Sequence, residues 1–367
     1  MNTREIIYMV CYLLTILYLS GLGGFQLLRP TRQSNEVEQE RSNRISTMVG
    51  FYMLAFALAC FLYMPPIMLH GSQSTGTYNY DICTFSTIIL MLPCTLMVMR
   101  ALLQRTTMTK RLLVLTIAPE ILLLIWYALA PQRIIIYILL VAAVLTHLAL
   151  MAYFVFFYQK YLRLLKTEYA DLSQHNLHWG YYVFGGFTIQ GLLYAIHEAY
   201  FTSVIEYVYM VYSLLNCTML VIYSRRLRPI SIPANEMKEF EQSTQMPAPA
   251  LVTTDKQQQQ FAELKLRLQQ KCEETGLYRN PNLTRDMLCK ELGINRNILA
   301  RYFQESNQSY YQYINGLRIQ YACELLKNKS ETALVQDIAN ASGYTNLSTF
   351  RKAFREVVGC LPSQYKG

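Results

Sequence analysis

Two short stretches near the C-terminal end carry side chains that hydrogen-bond to bases and phosphates, at helical spacing. Arg296, Asn297, Ala300, Arg301 and Gln304 share one face of a helical pattern. Further on, Asn346, Ser348, Thr349, Arg351, Lys352 and Arg355 repeat the arrangement. Arginine and lysine neutralise phosphates, arginine and asparagine pair with base edges, and small residues let a helix enter a groove. This is the chemistry of double-stranded DNA recognition. Catalysis is not implied, because no nucleophile–base pairing, metal-ligand set or phosphate-binding glycine loop stands out. The nine cysteines are scattered without a CxxC pair and read as small buried hydrophobes. No cofactor is expected.

The elements that must position those faces are legible around them. Thr284 is a good N-cap for a first helix, with Met287, Leu288 and Leu292 as its apolar stripe. Gly293 supplies a tight turn where a β-carbon would crowd the bend. Asn295 caps a second helix whose Ile298, Leu299, Tyr302 and Phe303 face inward. The stretch LVQDIANASGYTNLSTFRKAFREVVG repeats this logic, with Val335, Ile338 and Ala339 packing, Gly343 turning and Tyr344 filling the corner. Asn346 opens the last helix, whose Phe350, Ala353, Phe354 and Val357 form the expected buried face. An amphipathic helix from about Tyr310 to Leu326 joins the units through Ile314, Leu317, Tyr321, Ala322 and Leu325. At 1.5 Å per residue it is a rod of about 25 Å. With the helices it joins, that approaches the roughly 34 Å between successive major grooves on one face of DNA.

In this region the sequence resembles the AraC family of bacterial transcription regulators. The resemblance rests on NGLRIQYACELL, DIANASGYTNLSTFRKAFREVVG and the closing LPSQY, including both turn glycines, Arg318 and Pro362. It covers about 80 residues and implies a tandem helix-turn-helix fold that reads DNA, with RNA polymerase and a second copy of the chain as further partners. Tyr344 stands where the family usually has Phe, Arg351 where an aromatic or polar residue is common, and Cys360-Leu361 replaces a basic-Thr pair. Familiar members carry a soluble sugar-binding domain ahead of this module. Here membrane-like sequence takes its place, so the family's effector chemistry does not transfer.

That preceding sequence, residues 1–228, contains seven apolar stretches of roughly the 20 residues needed to cross a bilayer. They lie at about 6–28, 46–69, 82–103, 112–130, 134–158, 179–197 and 206–223, the sixth weakened by Gly and Tyr. Basic residues alternate between the loops: Arg29, Arg32, Arg41 and Arg44, then none; Arg100, Arg105, Lys110 and Arg111, then Arg133 alone. Lys160, Arg163 and Lys166 follow, then none, then Arg225, Arg226 and Arg228. Since cytoplasmic loops hold the excess of Lys and Arg, seven spans put the N-terminus outside and the C-terminus in the cytoplasm of a bacterial inner membrane. The n-region is poor and the first stretch long, so it reads as a span rather than a cleaved leader.

The expected fold class is therefore all-α, a polytopic bundle of about seven spans followed by a small all-helical tandem helix-turn-helix domain. The boundaries fall at 1–228 for the membrane domain, 229–255 for a Pro- and Ser-containing linker, and 256–367 for the DNA-reading domain. Residues 256–367 hold sixteen basic and ten acidic side chains, a net +6 that suits a polyanion. Within them, Lys256–Thr275 reads as a helix whose Phe261, Leu264, Leu268 and Cys272 cap the domain, with a short coiled coil as the alternative. A linker of this length, treated as a coil, has a mean span of roughly 30 Å and stretches to about 90 Å.

Ionisable and polar residues inside spans are costly and point to function. Glu120, His147, Gln190 and His197 are the candidate sensing residues for a small-molecule or lipid signal, with Glu120 and His147 placed to face each other. His175 and His178 lack a third ligand and are weak as a metal site. Two other readings stay open. One is a transporter- or receptor-like protein whose soluble domain is a protein-interaction scaffold; the other is a membrane enzyme using Glu120 and His147 as acid and base.

Overall fold

The computed structural model describes residues 3–29, 31–33, 36–62, 77–104, 110–172, 175, 177–200, 203–230, 255–327 and 334–365. Among these there are thirteen α-helices and no strand. The chain divides into two compact units, residues 1–159 with 177–234, and residues 160–176 with 235–367.

The first unit comprises α1 (Thr3–Leu28), α2 (Glu36–Leu62), α3 (Thr77–Leu102), α4 (Lys110–Leu129), most of α5 (Arg133–Glu168), α6 (Gly180–Tyr200) and α7 (Ser203–Arg226). α2 starts ahead of the expected span and takes Arg41 and Arg44 into the helix. Its first turn carries Glu36 and Glu38, which favour a helix N-terminus. The far end of that expected span, 63–69, lies outside the described residues. Where α1 meets α2, a β-carbon on Gly23 would come within 3.1 Å of the Gly50 carbonyl oxygen. Small residues let the two backbones approach.

α1 and α7 run parallel, joined by polar contacts whose numbers rise together. Tyr12 donates to Glu206 (2.9 Å), the Tyr18 and Thr218 hydroxyls pair (2.7 Å), and Gln26 Nε2 donates to Ser224 (3.1 Å). Among the described residues six helices are long and apolar enough to cross a membrane, namely α1 to α5 and α7. α6, the stretch weakened by Gly and Tyr, is not among them. Leu17, Leu115, Leu122, Leu145 and Leu215 are each more than half exposed on these helices, a surface that water disfavours and hydrocarbon does not. α5 has 36 residues, or about 54 Å of helix against a hydrocarbon core of roughly 30 Å. It continues past the expected end at 158 because FFYQKYLRLLKTE contains no breaker.

The second unit begins with the last turns of α5 and continues, after the first unit's remaining helices, with α8 (Asp255–Leu268). α8 extends through a π-helical turn at Gln269–Glu274 to a 3-10 turn at Leu277–Arg279. The bulk of the expected linker, 231–254, lies outside the described residues. Leu264, Leu268 and Cys272 are buried, and Phe261 packs edge-on against Tyr302 at 5.9 Å. α8 therefore covers the domain, as its stripe suggests. α9 (Arg285–Leu292), α10 (Arg296–Glu305), α11 (Tyr310–Lys327), α12 (Val335–Ala341) and α13 (Leu347–Val358) complete the unit.

Two small cores flank α11. One gathers Leu264, Leu288, Leu299, Phe303 and Ile314, and the other Ile319, Ile338, Tyr344, Phe350 and Phe354. α11 serves both, so it is buried on two sides rather than along the single expected face; Tyr310, Asn315 and Arg318 join its interior. Two expected core residues are displaced. Met287 is 39 % exposed because the buried arc of α9 centres on Leu288, Cys289 and Leu292. Val357 is 53 % exposed because the last turn of α13 runs past the core and Val358 packs instead.

Candidate nucleic-acid interface

The caps and turns that aim the two candidate reading helices are built as their residue types require. The Thr284 side chain accepts from Met287 N–H, Asn295 from Ile298 N–H and Asn346 from Ser348 N–H. Gly293 and Gly343 take φ of +66° and +88°, a left-handed conformation that costs other residues. At Gly343 there is a second reason. A β-carbon there would lie 2.6 Å from the carbonyl oxygen of Arg279, so the corner of the second helix-turn-helix presses on the 3-10 turn before the first.

Behind that corner sits Arg318, fully buried. Its Nε donates to the Tyr278 carbonyl and its Nη2 to that of Asn280, each at 2.7 Å, while the guanidinium lies 5.4 Å from the Tyr344 ring centre. Burial lowers the arginine's pKa. One side chain thus ties the entry of the first helix-turn-helix to the corner of the second. Burial also pushes the Cys272 and Cys289 thiols up, to about 12 and about 11.

On α13, Ser348, Arg351, Lys352 and Arg355 are exposed or half-exposed and fall at i, i+3, i+4 and i+7, one continuous face. Thr349 lies beside that face, and the Asn346 side chain is engaged in its cap. On α10, Asn297 and Gln304 are exposed, with Ala300 and Arg301 half-buried between them. Arg296, the first residue of α10, is placed differently. Its guanidinium pairs with Glu168 at the end of α5, and its Nε lies 2.6 Å from Asp286. Arg285, the first residue of α9, pairs with the same Glu168.

Those contacts reach residues that the sequence reading places in a loop. Glu168 is buried and Ala170 belongs to the first core. Tyr169 and Thr284 form an isolated antiparallel bridge. Asn315 Nδ2 donates to the Ala170 carbonyl (2.9 Å), and its Oδ1 accepts from the Tyr344 hydroxyl (2.6 Å). Thr345 Oγ1 donates to Asp171 (3.2 Å). A tyrosine where phenylalanine is usual is the one sequence signal of this connection, since an extra buried hydroxyl needs a partner.

Comparison with known proteins bears on this arrangement. Residues 288–367 match the helix-turn-helix domain family. The TCP pilus virulence regulatory protein of Vibrio cholerae is 31 % identical over 78 residues, covering 21 % of this chain and 28 % of that protein. The raffinose operon transcriptional regulatory protein of Pediococcus pentosaceus is 35 % identical over 80 residues, 22 % of this chain and 28 % of that one. The C-terminal region is an AraC-type helix-turn-helix domain. The match to this AraC-type domain starts inside α9, so Glu168 to Asp171 fall outside it. The chain spans little more than a quarter of the length of these relatives. No solved structure matches it.

In the first unit, His147 and Gln190 line one cavity of about 70 Å³, walled by Tyr52, Phe56, Phe187, Tyr194 and Tyr209. Gln190 Nε2 reaches the Tyr209 hydroxyl (3.4 Å), and its buried Oε1 has no hydrogen-bond partner among the described residues. His147 Nδ1 contacts the Ala143 carbonyl oxygen at 2.9 Å. Among the described residues no hydrogen bond joins Glu120 to His147. Glu120 is fully buried on α4, both its oxygens lack hydrogen-bond partners among the described residues, and it does not line the cavity. His197 lies 3.6 Å from Glu206, apart from that cavity. Among the described residues no group of His, Cys, Asp and Glu could hold a metal ion, and the His175 ring lies tilted against Tyr169 with centroids 4.1 Å apart.

Proposed function

We propose that this chain is a membrane-integrated transcription regulator that binds promoter DNA sequence-specifically and responds to a signal sensed in or across the membrane. The observation that carries the DNA reading is the pair of capped, glycine-turned helices, α10 and α13, each offering polar and basic side chains at one-face spacing. One chain then supplies two reading helices without a dimer, and phosphate contacts add an affinity that salt weakens. Similarity to regulators of a pilus virulence system and a sugar operon supports the same reading. Membrane integration is supported by six apolar helices, their exposed leucines and the alternation of basic loops. Sensing is assigned to the cavity at His147 and Gln190. Aromatic walls with acceptors and no acidic or strongly basic group suit a small uncharged ligand that donates hydrogen bonds.

The test is selection from a random DNA pool by the full chain in lipid nanodiscs at near-physiological salt. The expected result is a defined site spanning about two major-groove turns. An Arg301→Ala, Arg351→Ala double variant that stays folded should lose roughly 1–3 kcal/mol for each base contact removed. Binding that is salt-sensitive and blind to sequence would overturn promoter recognition.

A further inference from the structure

The segment at the end of α5 places one carboxylate at the front of each reading helix. Glu168 is buried between Arg285 and Arg296, which begin α9 and α10. Asp171 accepts from Thr345, the residue just before the cap of α13. In a helix-turn-helix the first turn of the second helix approaches base edges, and helix N-termini and arginines take phosphates. Both carboxylates therefore stand where a DNA backbone would bring negative charge.

The segment is held by more than these two groups. The Tyr169–Thr284 bridge, the Asn315–Ala170 hydrogen bond and the burial of Ala170 hold its backbone against the first helix-turn-helix and α11. Lys166 adds a contact over the Tyr311 ring at 5.8 Å. The Tyr344 hydroxyl, through Asn315, couples the corner of the second helix-turn-helix to the same backbone.

We infer that residues 160–172 are an autoinhibitory strap, in which Glu168 and Asp171 occupy the phosphate-facing positions of both reading helices and must leave for DNA to bind. Arg285 and Arg296 then change partner, from a carboxylate of the same chain to the nucleic acid. α5 is one uninterrupted helix from Arg133 to Glu168, and the strap begins in its last turns. This inference rests on the DNA-binding reading proposed above.

The experiment compares the full chain in nanodiscs with its Glu168→Gln, Asp171→Asn variant, both titrated with random-sequence duplex DNA across a salt series. The variant is expected to bind roughly tenfold more tightly. Its log–log salt slope should steepen by about two units, one for each arginine released to a phosphate. A folded variant with unchanged or weaker affinity would overturn the strap while leaving DNA binding intact. If neither protein bound any duplex at low salt, the DNA reading would fall, and the strap with it. A second variant guards against misfolding, a Tyr169→Cys, Thr284→Cys pair that locks the bridge on oxidation. Loss of DNA binding in the oxidised form, restored by reduction, is expected. Equal binding by both forms would overturn the inference.

Discussion

Arg318 shows how much of this fold hangs on single buried polar groups. It donates to two carbonyls, and that of Asn280 also accepts from Leu283 N–H. Arg318→Ala would remove both charge-assisted bonds, each worth about 1.5–3 kcal/mol, and should lower the unfolding midpoint of the second unit accordingly. Cys272 and Cys289 make a different point, since burial holds their thiols at about 12 and about 11. Folding raises both above the ordinary value of 9.0, so their protonated state contributes stability in full below about pH 9. That contribution is lost as the pH climbs through about 11 and about 12. At about pH 8 neither thiol supplies appreciable thiolate, so alkylation mapped by mass spectrometry should reach Cys360 at least about tenfold sooner. Equal rates at all three would mean that the first core is open.

At the level of elements, α8 owes its place to three residues on one face. Leu268→Ala should destabilise the second unit by about 2–5 kcal/mol, read as a lower unfolding midpoint with oligomeric state unchanged. A shift from dimer to monomer without that loss would instead mark α8 as a pairing helix. The helices themselves are legible in the sequence because their signals are local. Thr284, Asn295 and Asn346 cap, Gly293 and Gly343 turn, and the apolar spacing follows 3.6 residues. Met287 and Val357 escape that logic because burial near a helix end depends on where the neighbouring helix stops. The strap is invisible to it for a related reason. Glu168 and Arg296 are paired by tertiary approach across more than a hundred positions, and no periodicity records such a meeting. His147 and Gln190 each stand out as polar residues in spans, but their shared cavity is a property of packing.

For the whole molecule, the parallel course of α1 and α7 constrains the number of crossings. Helices that run the same way through a bilayer have an odd number of crossings between them, so with α1 and α7 as spans the membrane reading proposed above would need α6 to cross as well. A tag on the N-terminus should then be reached by an impermeant probe in intact cells, and one on the C-terminus only after permeabilisation. Tags found on the same side would require six crossings and an antiparallel first and last helix.

The second unit is assembled from two stretches of chain that lie far apart in sequence, 160–176 and 235–367. It is therefore not a cassette. A gene fusion that grafted only the C-terminal stretch onto another protein would carry α10 and α13 but leave Arg285 and Arg296 without Glu168. A protease cutting once between 231 and 254 would leave the C-terminal fragment tied to residues 160–172 only through these contacts, and its departure would strip it of Glu168. For this architecture, departure and activation would be the same event.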